Sequence, residues 1–239
     1  MSVNLYSQKI TYSIEAGANY SFFTNSEHKT QDQETHTIYT SSGGYYTITA
    51  VDLNSSEKKI SSKGKTGFFI NNNFSFPVNK FIRFKTGFGL SLNNADLTTK
   101  VKDLNYTTFS FYEYENKATY NIFQIKIPLQ LQLSFFNEKL LLSNGISISA
   151  IINAKNTFET NATNSYTYIA DNDFENIFVN FNSGFEYNIF KKVYIGVQYE
   201  YSATKLMTEN TSYQTQSFYM LNYNKIHLNN ISLNLSYKF

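Results

Sequence analysis

From Ile10 to Phe22 the even positions are Ile10, Tyr12, Ile14, Ala16, Ala18, Tyr20 and Phe22, and the odd ones are Thr11, Ser13, Glu15, Gly17, Asn19 and Ser21. Side chains of a strand alternate between its two faces, so this segment predicts a strand with one wholly apolar face. The pattern recurs in Thr66–Phe76, where Phe68, Ile70, Phe74 and Phe76 oppose Phe69, Asn71, Asn73 and Ser75. After a short turn at 77–80, Ile82, Phe84, Thr86, Phe88, Leu90 and Leu92 alternate with Arg83, Lys85, Gly87, Gly89 and Ser91. These two segments predict a hairpin.

Asn121–Phe135 sets Phe123, Ile125, Ile127, Leu129, Leu131, Leu133 and Phe135 against Gln124, Lys126, Pro128, Gln130, Gln132 and Ser134. Proline removes a ladder donor, so a bulge is expected at Pro128. A turn at 136–139 leads to Leu140, Leu142, Ile146, Ile148, Ala150 and Ile152, which face away from Ser143, Gly145, Ser147 and Ser149. Asn176–Ile189 and Val193–Ser202 flank a turn at 190–192, and Ile231–Phe239 closes the chain with Ile231, Leu233, Leu235, Tyr237 and Phe239 on one face. The reading is eight strands.

The spacers fall into two sizes. The turns at 77–80, 136–139 and 190–192 are short, whereas the connections near 24–64, 93–119, 153–175 and 203–225 are long and polar. Long loops at one end and short turns at the other, with both termini at the short-turn end, match an all-β, transmembrane, antiparallel up-and-down barrel. A soluble β fold alternates too, but an eight-stranded barrel has no room inside for the apolar faces of all its strands. Those faces therefore point outward, and Ser, Asn, Gln and Gly line a narrow polar lumen. In the first long loop, Thr35–Thr40 and Tyr45–Val51 flank Ser41–Gly44 and predict a further hairpin; if it inserted, the barrel would have ten strands.

Composition refines this picture. The chain of 239 residues has 20 Tyr and 22 Phe but no Trp, and no Cys, which excludes disulfides, cysteine-ligated metals and a cysteine nucleophile. A formal net charge of +2 without a basic run argues against nucleic acid. The mean hydropathy of −0.37 is the average of an apolar exterior, a polar lumen and hydrophilic loops. The longest apolar run, Phe218–Leu221, is far below the roughly 20 residues of a spanning helix. On strand parity Glu15, Arg83, Lys85, Lys126, Glu186 and Glu200 point inward. Charges confined there must be paired, so a salt-bridged plug is expected, with an ion path as the sharper alternative.

The final segment ISLNLSYKF ends in Phe239 with Tyr237, Leu235 and Leu233 at every second position before it. It resembles the C-terminal signal of Gram-negative outer-membrane proteins, which implies recognition by the barrel-assembly machinery. The stretches KTGFGLSL at 85–92 and IKIPLQLQLSFF followed by LLLSNGISIS resemble the PorT-like outer-membrane β-barrel family of Bacteroidetes. The resemblance rests on Ile127, Pro128, Leu129 and the central Gly145, and covers the membrane portion rather than the loops. Residues 1–8, ending in Ser7 and Gln8, resemble the tail of an export signal of the same lineage; residues 9–239 are then one outer-membrane barrel domain. The resemblance implies an outer-membrane location with periplasmic termini. One branch of the family is linked to type IX secretion, but no motif here ties the chain to it.

Catalytic and metal motifs are weak. His28 and His36 fall in the first loop and His227 near the last strand, without a spacing that forms a metal pair. Outer-membrane lipid hydrolases use His with Ser near the rim, which singles out His227 with Ser202 or Ser217. No cofactor is implied. The expected partners are the lipid bilayer and an outer-membrane protein met through the loops, where Phe109, Phe111 and the tyrosines of 106–115 could extend the strand beyond the bilayer and suit β-addition. Two functions stand: a non-enzymatic surface barrel with structural or binding loops, such as an accessory subunit of a larger complex, and a narrow channel for small solutes.

Overall fold

The computed structural model describes residues 9–24, 29–31, 35–39, 45–49, 57–105, 110–160, 164–169, 174–204, 206 and 226–239. The strands are β1 (Thr11–Thr24), β2 (Lys29–Gln31), β3 (Thr35–Tyr39), β4 (Tyr45–Thr49), β5 (Glu57–Pro77) and β6 (Ile82–Asn105). They continue as β7 (Ser110–Phe135), β8 (Leu140–Thr160), β9 (Asn164–Ile169), β10 (Ile177–Phe190), β11 (Val193–Ser202) and β12 (His227–Lys238). Eight of them close an antiparallel barrel in the order β1-β12-β11-β10-β8-β7-β6-β5, because β1 pairs with both β12 and β5. Hydrocarbon offers no partner for a bare strand edge, and closure leaves none. Near the seam the N–H of Phe239 donates to the carbonyl of Tyr12 at 2.9 Å, so both ends of the described chain meet at the short-turn end.

The outward face is the apolar one. Phe68, Leu131, Phe181 and Leu233 are each more than half exposed, while Glu15, Asn73, Gln132 and Asn182 of the opposite face are buried. Inward glycines let neighbouring strands approach closely. A Cβ at Gly145 would lie 2.2 Å from the carbonyl oxygen of Leu129 and 2.6 Å from Cα of Gln130, and one at Gly17 would lie 2.1 Å from the carbonyl oxygen of Leu233. The β3–β4 hairpin forms its own two-stranded sheet outside the barrel, which settles the strand count at eight rather than ten. Ser41–Gly44 lie outside the described residues.

Two expectations need correction. Pro128 is not at a bulge: its pairing to β8 runs on through Ile127↔Ile148, Pro128↔Ser147 and Leu129↔Ile146. On the other side the β6 ladder lapses between Thr86↔Leu129 and Gly89↔Lys126 without a change of register. The missing N–H is thus absorbed by a gap in the ladder. The shift in this strand pair comes higher, between Phe123↔Asn153 and Gln124↔Ile151, where Ile152 is the extra residue.

The second correction concerns the expected loop near 93–119. It is mostly strand, because β6 and β7 stay paired from Ile82↔Leu133 up to Asn105↔Ser110. β7 has 26 residues, against the roughly 9–11 needed to span a membrane at a tilt of about 45°. β5 and β8 lengthen with them, β2 pairs with β5, and β9 pairs with β8. On one side of the mouth a sheet in the order β2-β5-β6-β7-β8-β9 therefore continues past the bilayer. Its polarity is inverted: Ala95, Leu97, Ala118, Tyr120 and Ile122 are buried inside. The outer face carries Asp96, bonded to Lys65 at 2.7 Å, to Lys117 at 3.6 Å and to the Thr119 hydroxyl at 2.8 Å.

Replacing Gly145 by Val is expected to destabilise the barrel by about 1–3 kcal/mol through overpacking against the β7 backbone. The measurement is the unfolding midpoint in denaturant after refolding in detergent, and a midpoint equal to wild type would contradict the close approach.

Candidate functional site: the filled lumen

The interior is built in layers. In the layer nearest the short turns, the Arg83 guanidinium pairs with Glu138 of the 136–139 turn. Above it Lys85 Nζ lies 3.1 Å from Glu15 Oε2 and 2.7 Å from Glu186 Oε1, and Lys238 Nζ lies 3.6 Å from Glu186 Oε2. These groups come from β6, β1, β10 and β12, so the cluster ties strands across the lumen as well as around the wall. Amide groups complete the carboxylates: Asn73 Nδ2 donates to Glu15 Oε2 at 3.0 Å and Asn234 Nδ2 to Glu15 Oε1 at 2.5 Å. The Lys238 ammonium also stands 3.8 Å from the centre of the Tyr194 ring.

A second pair crosses from β7 to β11, with Lys126 Nζ 2.5 Å from Glu200 Oε2 and Asn230 Nδ2 3.5 Å from Glu200 Oε1. Next to it comes a neutral polar layer. Asn19 Nδ2 donates to Asn93 Oδ1 at 2.7 Å, and Asn180 Nδ2 donates to Ser149 Oγ at 3.0 Å. A cavity of about 10 Å3, about the volume one water needs, lies beside Lys85, Gln130, Glu186 and Asn234.

At the long-loop end the interior turns apolar. Phe23, Leu97, Tyr120, Ile122, Phe178 and Leu228 form a buried cluster across the mouth, and Phe174 and Leu206 join it from the connections. The Tyr120 ring meets Phe23 and Phe174 edge to face, with centroids 5.7 and 5.4 Å apart. Backbone bonds fix the incoming segments: the Glu175 N–H donates to Leu206 O at 2.8 Å and the Leu206 N–H to Ile226 O at 3.1 Å.

Of the six charges on the inward parity, the structure brings Glu15, Lys85 and Glu186 into one cluster and Lys126 with Glu200 into another. Arg83 joins neither, since its partner lies in the turn. Lys238 and Glu138 complete the set and lie outside the six. Lys238 alternates correctly with Tyr237 and Phe239 but sits within a segment read as an assembly signal, and Glu138 sits in a turn. Of the residues expected to form an assembly signal, Leu233, Leu235 and Tyr237 are exposed on β12, and Phe239 is exposed just after it.

His227 Nδ1 lies 2.7 Å from the main-chain oxygen of Ser202, and the ring stacks on Tyr201. The Ser202 hydroxyl donates instead to Thr204 O at 2.9 Å, so the two side chains do not form a nucleophile and base pair. Ser217 and His28 lie outside the described residues, and His36 pairs with Ile48 in the separate hairpin. Among the described residues no three His, Asp or Glu side chains gather in a metal-binding group, and no helix is long and apolar enough to cross a membrane.

The attachment invasion locus protein Ail of Yersinia pestis is 14% identical with a TM-score of 0.43, over 97% of this chain and 100% of that chain. Neisserial surface protein A is 10% identical with a TM-score of 0.40, over 95% and 97%. OprG of Pseudomonas aeruginosa is 11% identical with a TM-score of 0.39, over 95% of each chain. No curated protein matches the chain. A family model described as outer membrane protein beta-barrel domain matches residues 6–208, and the chain belongs to that family.

Proposed function

We propose that this outer-membrane barrel is neither an enzyme nor an open pore, and that its work is structural or binding, done above the bilayer at the long-loop end. The observation that carries the proposal is the filled interior: paired charges below, amides in the middle and an apolar cluster across the mouth. A hydrated path for solutes would have to displace all three. The strands of β5 to β8 that outrun the membrane support the second half. Lipid does not require that length, and the water-facing side of this sheet offers polar surface to an outer-membrane partner, such as a larger complex in which the protein is an accessory subunit.

The same reading places the short turns and both termini in the periplasm, since long loops of such barrels face outward from the cell. It treats Leu233, Leu235, Tyr237 and Phe239 as the signal for the barrel-assembly machinery and keeps the PorT-like, Bacteroidetes lineage as the source of the Ile127–Leu129 and Gly145 pattern. A narrow channel is the competing function.

In planar bilayers the purified protein is expected to give no steady conductance, and steady current abolished by Arg83→Ala would favour the channel. Lys85→Met leaves Glu15 and Glu186 facing each other with only Lys238 to compensate. It should lower stability by about 3–5 kcal/mol, as removal of one partner of a buried pair does, and denaturant titration in detergent checks the loss. Pull-down from native outer membranes should recover an outer-membrane protein that is lost when residues 25–56, between β1 and β5, are trimmed; solute uptake by liposomes carrying the protein, with no such partner, would count against the binding role.

A further inference from the structure

Each of the four junctions at the short-turn end presents an exposed lysine and an exposed phenylalanine. Between β5 and β6, Asn79 Oδ1 accepts the N–H groups of Phe81 and Ile82, both at 2.8 Å, and this turn holds Lys80 and Phe81 outward with Nζ 4.7 Å from the ring centre. Between β7 and β8, Phe136, Asn137 and Glu138 have φ of 52°, 55° and 67°. Three successive non-glycine residues in the left-handed region are costly. What the strained turn provides is Phe136 at 75% exposure, with Lys139 exposed three residues on. Between β10 and β11, Lys191 has φ 46° and stands 5.1 Å from the Phe190 ring, and Lys192 follows it. At the seam of β12 and β1 the exposed pair is Phe239 and Lys9.

The chemistry of this rim is one-sided. Glu138 is the one carboxylate in the three turns, and Arg83 occupies it. The exposed phenylalanines continue the lipid-facing band of Phe76, Leu133, Ile189 and Tyr237, so the ammonium groups stand where the hydrocarbon ends. They also recur around the whole circumference, which a leaflet meets on every side and a protein partner would meet along one arc.

We propose that the short-turn rim is a docking ring for anionic phospholipid: the lysines hold headgroup phosphates while the phenylalanines enter the acyl region between them. The assignment to the periplasmic leaflet rests on the orientation proposed above, but the lipid preference is measured without reference to orientation or conductance, so the two fail separately.

The test uses the full chain in nanodiscs of phosphatidylcholine with a minor share of phosphatidylglycerol, followed by mass-spectrometric counting of lipids retained in detergent. Phosphatidylglycerol should be enriched at least about threefold over its bulk share at low salt, and the enrichment should fade as ionic strength rises. The variant K80Q/K139Q/K191Q/K192Q should keep the folded band's heat-modifiable migration and return the ratio to bulk. Salt titration of the wild type decides the matter if that variant does not fold. Absence of enrichment, enrichment indifferent to salt, or a folded variant that retains it would overturn the proposal. Lysine-dependent sedimentation with peptidoglycan sacculi, without lipid enrichment, would assign the ring to the cell wall instead.

Discussion

Every backbone polar group inside a bilayer must find its partner within the protein, and here that requirement is met by one strand. β1 pairs along its length with β12 on one side and β5 on the other, turning an open sheet with two edges into a wall with none. Closure at eight strands then fixes the bore, and the bore dictates what is inside it. A lumen of this width cannot hold a bulk aqueous column, so side chains fill it. Those that do so are polar because the apolar faces have already been committed to lipid.

Filling the bore with charge is tolerable only when each charge is matched. Glu15 and Glu186 with Lys85 and Lys238, Glu200 with Lys126, and Glu138 with Arg83 leave no group of this set alone, and asparagine amides take up remaining carboxylate lone pairs. Such clusters do not add much net stability over an apolar core of equal shape. Their value lies in specification: a strand shifted by one residue would turn Lys85 or Glu186 into lipid and Phe84 or Tyr187 into the lumen.

The membrane portion was legible because lipid on one side and a packed lumen on the other force a strict two-residue period, seen most cleanly in Ile10–Phe22 and Phe123–Phe135. What lay beyond the bilayer was not, and the reason is physical. In β6 the apolar positions are even through Leu92 and odd from Ala95, and in β7 they are even through Ile122 and odd from Phe123, although the pairing between the strands never slips. Water replaces lipid outside while the interior stays dry, so the apolar face moves from the exterior to the interior. A reader following one phase sees the pattern end and writes a loop. The inward charges lie on the parity of their strands, Lys238 of the terminal segment included, and the turn residue Glu138 alone stands outside that pattern. The placement of Phe174 and Leu206 in the mouth depends on how connections fold back and leaves no local trace in the sequence.

The change of phase also acts as a depth gauge. Residues on either side of it, such as Leu92 and Asn94 on β6 or Phe123 and Asn121 on β7, prefer opposite surroundings, so displacement of the barrel along the membrane normal is penalised in both directions. Sinking would draw Asp96, Lys65 and Lys117 into hydrocarbon, and rising would lift Phe88 and Ile125 into water. The protein is thereby matched to one hydrocarbon thickness, and a thicker bilayer would have to thin around it or tilt it.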